Sequence, residues 1–224
     1  MKLTYGEHAT RQDGLCLMEA VAMLGGEGHT DSPKCACTVL STFGRALNDG
    51  MGIGAEGDVL RAKYLSDLAP RLVGTRSTPE VELRRALVFA DGAVRVLAPL
   101  AMEAAGRVVA ADALRALSPV IDQNAAANAA AAAAANADAN ADAANADTAN
   151  AADYAAKAAK AAVHAYAAVH AASAGFHVAR PVRAARAARL AAYTATATAG
   201  AADEAGAWAE ARALFIRAIE VSDE

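Results

Sequence analysis

The sequence predicts an all-α protein, with a compact N-terminal helical bundle over residues 1–120. Residues 121–224 then read as a long alanine-rich helical arm that ends in an amphipathic docking helix. Three observations predict this. Apolar residues before about position 121 recur at three- and four-residue spacing, as one face of a helix requires. Ser-Pro or Thr-Pro pairs stand where helices would open, at Ser32-Pro33, Thr78-Pro79 and Ser118-Pro119. From Asn124 to Ser173 alanine dominates, with no glycine or proline to interrupt it.

Met1 to Asp13 is polar and reads as an extended arm or loop. Leu15 to Leu24 is apolar nearly all round, with Leu17, Val21 and Leu24 on one stripe, so it predicts a buried helix stopped by Gly25-Gly26. Ser32 as N-cap and Pro33 at the first helical position predict a second helix. It would carry Val39, Leu40, Phe43 and Leu47 and end at Asn48-Asp49-Gly50. Asp58 to Leu68 predicts a third, closed before Pro70. Ser77-Thr78-Pro79-Glu80 opens a fourth that runs to Ala105 with a kink at Pro99. Arg107 to Leu117 makes a short fifth.

A continuous helix of about fifty residues after Asn124 would span ~75 Å. Its acids (Asp138, Asp142, Asp147, Asp153) precede its bases (Lys157, Lys160), the order the helix dipole favours. One face is largely alanine, which allows another helix backbone to approach closely. Gly175 permits a turn, and Pro181 starts a helix carrying Arg183, Arg186 and Arg189. Thr194 to Gly200 should weaken that helix, since three β-branched threonines precede a glycine. Ala202 to Val221 closes the chain with an apolar face of Trp208, Leu214, Phe215, Ile216 and Ile219, which must dock on something.

Composition narrows the function classes. Hydrophobic residues make up 55% of the chain but aromatics only 4%, so the core must come from Leu, Val, Ile and Met. A net charge of −4 weighs against general nucleic-acid binding. Three cysteines without framework spacing weigh against a disulfide scaffold. The best membrane candidate, Ala86–Ala105, contains Asp91, Arg95 and Glu103, so no span is expected. Lys2 and the polar run after it do not read as a secretory leader, and a cytoplasmic setting is expected.

The candidate chemistry is concentrated between Arg11 and Leu40. Cys16, His29, Cys35 and Cys37 are zinc-type donors, although their spacing matches no zinc knuckle. On a helix begun at Ser32, Cys35 and Cys37 would diverge by about 200°. Buried structural thiols are the plainer reading, and no cofactor is then required. Cys35 near the third position of that helix would have a depressed pKa, with His29 or His8 as base. Glu19 stands alone in an apolar run and needs a buried partner or a raised pKa. Arg45, Arg71, Arg76 and Arg95 are the expected partners, within an ion-pair network that includes Asp91–Arg95 at i,i+4 spacing. A general acid or base is the sharper alternative for Glu19.

Arg180, Arg183, Arg186 and Arg189 could contact phosphate. They spiral round their helix, however, and the acids of Asp122–Asp153 are available to pair with them. His164, His170 and His177, with Tyr154 and Tyr166, read as packing residues on a thin helix.

The runs DGLCLMEAVAMLGGEGHTDSPKCACTVL, PRLVGTRSTPEVELRRA and FADGAVRVLAPLA resemble a family of uncharacterised proteins from actinobacteria and their phages. In that family the corresponding pieces look like C-x-M-E-A-V-A, [ST]-D-x-P-x-C, P-R-L-V-G-T and a D-W-x-V-R helix. Cys16, Met18, Glu19, Asp31, Pro33, Cys35, Arg71, Gly74, Thr75, Asp91 and Arg95 fall on those positions. Gly92 stands where the family commonly has tryptophan. The resemblance covers residues 10–118, implies a phage or bacterial cytoplasmic setting, and implies no activity.

The sequence therefore points first to a non-enzymatic helical protein that acts on a protein partner or by homo-oligomerisation, and in the resemblance's terms to a phage accessory protein. The alternative is a metal- or thiol-dependent enzyme centred on Cys16, Glu19, His29 and Cys35. A third reading is nucleic-acid binding through Arg180–Arg189.

Overall fold

A computed structural model of the chain describes residues 1–141, 179–201 and 204–222, and among these the regular structure is entirely helical. The helices are α1 (Leu17–Leu24), α2 (Thr38–Gly50), α3 (Ala55–Tyr64), α4 (Ala69–Leu72) and α5 (Pro79–Gly92). A π-helical stretch, Ala93–Leu97, leads into α6 (Ala98–Ala104), followed by α7 (Val108–Arg115) and α8 (Gln123–Ala141). The last two are α9 (Ala179–Ala201) and α10 (Glu204–Ile219). Most of the expected fifty-residue arm, with His164, His170, His177 and both lysines, lies outside the described residues.

Several helix signals act as the sequence predicts. Thr78 caps α5 by accepting the Val81 N–H, with Pro79 at the first position. Gly25 ends α1. Pro99 cannot donate to the Arg95 carbonyl, and the chain absorbs the defect by widening ahead of it. The Ala98 N–H reaches back to the Ala93 carbonyl, so α5, the π stretch and α6 follow without a gap. The third helix is shorter than its apolar pattern, because α3 stops at Tyr64 and Pro70 sits inside the single turn of α4.

The helix expected from Ser32-Pro33 does not form there. The Glu27 carboxylate accepts the N–H groups of Lys34 (2.8 Å) and Cys35 (2.7 Å), and this holds residues 33–37 in a turn. Ser32 bonds Asp31 and receives a bond from Arg45, so it caps nothing. Helix α2 starts at Thr38, with Cys37 as its N-cap.

Helix α9 is central. It packs on α2, α5, α6, the π stretch and α10, and buries Ala184, Ala187, Ala188, Ala191, Ala192 and Ala195 at i, i+3, i+4 spacing. The threonines do not weaken it. Thr194 bonds the Leu190 carbonyl (2.9 Å), and Thr198 bonds those of Thr194 (2.8 Å) and Leu97 (3.1 Å), so both buried hydroxyls are satisfied. Buried residues of α9 and α10 belong to the same apolar cluster as those of α1, α2 and α5. Three of the four phenylalanines meet in it. Phe43 stacks on Phe89 at 4.0 Å and meets Phe215 edge-on at 5.1 Å.

Two buried arginines close helix C-termini, where unpaired carbonyls gather. Arg61 (0% exposed) donates from Nε to the Asn48 carbonyl (3.0 Å) and from Nη2 to that of Gly52, both at the end of α2. Arg85 (4% exposed) donates to the carbonyls of Ala218 (3.1 Å) and Val221 (3.0 Å) at the end of α10, and to Thr75 (2.7 Å). Arg212–Asp67 (2.6 Å) and Arg71–Glu220 (3.0 Å) fasten the outer edge of α10. No helix among the described residues is long and apolar enough to cross a membrane.

Candidate functional site

Glu19 is the centre of a buried polar network. Its side chain is 0% exposed, and α1 holds it at the third position after the Cys16 cap. Oε2 accepts the Cys16 N–H (2.7 Å), completing a capping box in which Cys16 Sγ accepts the Glu19 N–H (3.4 Å). Oε1 accepts the His8 N–H (2.7 Å), while His8 Nδ1 donates to Oε2 (2.8 Å). His29 Nε2 donates to the His8 carbonyl (2.8 Å) and lies 3.5 Å from Oε1. The expected arginine partners are not there. Arg45 bonds the Asp31 carbonyl, Arg71 pairs with Glu220, and Arg95 pairs with Asp91 at 3.0 Å.

Burial alone would raise the Glu19 pKa. The backbone N–H groups of Cys16 and His8, together with the His8 side chain, outweigh that and hold it below the usual carboxylate value. Glu19 is therefore a stable carboxylate, not a group poised to exchange protons near neutrality.

His8 extends the network. Its Nε2 lies 3.0 Å from Thr4 Oγ1, so Thr4, His8 and Glu19 stand in the order of a nucleophile, base and orienting carboxylate. Gly14 packs against that row: a Cβ placed on it would lie 2.5 Å from Thr4 Oγ1 and 2.7 Å from His8 Nε2, so no side chain fits there, and the His8 side chain is only 11% exposed. Gly14 has φ 143°, outside the range other residues readily adopt. What the row does achieve is to bind the N-terminal segment to α1. The Thr4 N–H bonds the Leu15 carbonyl (2.8 Å), and the buried Asn48 side chain links the Thr4 carbonyl (3.1 Å) to the Leu17 N–H (3.2 Å).

The cysteines are dispersed. Cys16 is 3% exposed, and burial pushes its thiol up to about 12. Cys37 is buried beside Glu82 (Sγ to Oε1, 3.7 Å), and desolvation raises its pKa. Cys35 lies outside any helix, against the end of α1, where desolvation and then Glu27 raise its thiol pKa instead of depressing it. Among the described residues, no three His, Cys, Asp or Glu side chains converge as a metal ion would require. Cys16, His29, Cys35 and Cys37 thus do not form one centre, and neither do Cys16, Glu19, His29 and Cys35.

Of the C-terminal arginines, Arg186 and Arg189 are exposed on α9, and the side chains of Arg180 and Arg183 lie outside the described residues. Arg189 is engaged within its own helix, donating from Nε to the Tyr193 hydroxyl (2.7 Å).

Sequence reasoning did not find the apolar groove beside α5. A groove of about 690 Å³ lies between α5, the π stretch, residues 119–121 and the end of the chain after α10. Its apolar walls include Leu87, Val88, Val96, Val120 and Ile121, and Arg84, Arg95, Arg217 and Asp91 also line it. The one local signal was Pro99, which forces the π stretch that carries Arg95 and Val96.

No protein-family model matches the chain, and no curated protein or solved structure shows significant similarity to it.

Proposed function

We propose that the protein acts without catalysis, through helix-to-helix contact with another polypeptide, in the first instance a second copy of itself. The observation that supports this is the outward face of α8. Ala126, Ala129, Ala130 and Ala133 are buried against the bundle, while Ala127, Ala131, Ala134 and Ala135 are exposed. Alanine faces are packing surfaces in this chain, since α9 is buried in the core by a stripe of the same residue. Small side chains let helix backbones approach closely and lose little side-chain entropy on burial. The saturation of Glu19 and the covered Thr4–His8 row favour contact over chemistry.

Cross-linking tests the assignment of the face. With Cys35 replaced by serine, Ala131→Cys should give covalent dimers with a bismaleimide, whereas Ala129→Cys on the inward face should not. Equal yields from both positions, or none from Ala131→Cys, would remove α8 from the interface.

A further inference from the structure

We propose that the groove between α5, the π stretch and residues 119–121 is a binding site for an apolar monocarboxylate, a ligand with one carboxylate on a short aliphatic body. Its volume, about 690 Å³, is in the range of small-molecule sites, and its apolar walls would hold an aliphatic chain. Three arginines line it against one aspartate. That aspartate is already engaged, because Asp91 Oδ1 accepts both Arg95 Nη1 (3.0 Å) and the Val120 N–H (2.9 Å).

Arg95 is the anchor. It sits on the π stretch, a rare local geometry, and its side chain is 26% exposed. Of its five donor hydrogens, the Nη1 bond to Asp91 takes one, and Nε is buried with no acceptor among the described residues. A cation that is partly desolvated beside apolar walls, with Nη donors left over from the Asp91 bond, favours an anionic acceptor. A carboxylate matches the guanidinium edge and can accept two bonds from it. A neutral ligand of the same shape would fill the groove but leave this under-satisfied. This site is separate from the α8 face.

Calorimetric titration of the full chain with decanoate, below its micelle concentration, tests the proposal. Saturable one-to-one binding is expected, with decanol and decyltrimethylammonium at least about tenfold weaker. Each methylene added from octanoate upward should tighten binding roughly fourfold until the groove is full. Arg95→Gln should reduce decanoate to the level of decanol, and Arg95→Lys should retain part of the difference. Val96→Trp, which fills the groove and leaves the Asp91 pair in place, should abolish binding. Equal affinity for decanoate and decanol would overturn the carboxylate assignment. Absence of saturable binding, or binding unchanged by Arg95→Gln and Val96→Trp, would overturn the site.

Discussion

His8 Nδ1 lies 2.8 Å from the Glu19 carboxylate, joining the N-terminal segment to the first helix across eleven residues. Because the Glu19 pKa is depressed by folding, its contribution to stability is fully present above the unfolded value near 4.5. It is lost as pH falls through the lower folded value. Glu19→Gln should cost about 2–4 kcal/mol at pH 7, since an amide cannot accept from all of these donors. The difference between wild type and variant should shrink as the pH of chemical denaturation is lowered from 7 towards 3. A difference independent of pH would mean that the carboxylate charge is irrelevant.

Gly92 accommodates Leu214, because a Cβ at position 92 would overlap the Leu214 side chain. Leu214 is fully buried and cannot swing aside. Gly92→Ala should therefore destabilise by about 1–3 kcal/mol through overpacking. Leu214→Ala should recover most of that loss in the double variant, visible as a coupling energy in a double-mutant cycle. Additive effects would contradict the contact.

Arg85 holds the end of α10 by two carbonyl bonds, to Ala218 and Val221, and ties it to Thr75 by a third. Arg85→Met should cost about 3 kcal/mol, because buried carbonyls lose a charged donor. Hydrogen exchange should accelerate first in α10, before α2 or α5. Uniform acceleration across the chain would show that α10 is not held separately at this end.

Thiol reactivity should follow burial. In the native protein, Cys35 should alkylate before Cys16 and Cys37, yet more slowly than a free thiol at pH 8, because its pKa is raised. Mass mapping after iodoacetamide treatment gives the order. A Cys35 faster than a free thiol would revive the nucleophile reading.

The helical class was legible because Leu17, Val21 and Leu24, and then Val39, Leu40, Phe43 and Leu47, recur at helical spacing and Thr78-Pro79 caps as it should. Ser32-Pro33 carries the same local signal and fails. The reason is tertiary: Glu27, on the other side of the turn, takes the amides a new helix would leave free. The importance of Glu19 was readable from one carboxylate in an apolar run, but its partner was not. A long-range arginine and a nearby histidine are equally compatible with the sequence, and the chain's return past His8 decides between them. The buried role of α9 was hidden because alanine patterns weakly, so that an exposed arm and a tightly packed core helix share the same composition.

The central claim is that the protein works by contact through an alanine-surfaced helix, and sedimentation equilibrium tests it most directly. The account predicts a mass that rises with concentration above the 22.6 kDa of one chain, and a return to that mass in Ala131→Glu with its helical circular dichroism unchanged. A wild-type chain that stays at one copy across the concentration range, or an Ala131→Glu variant that associates as well as wild type, would contradict it.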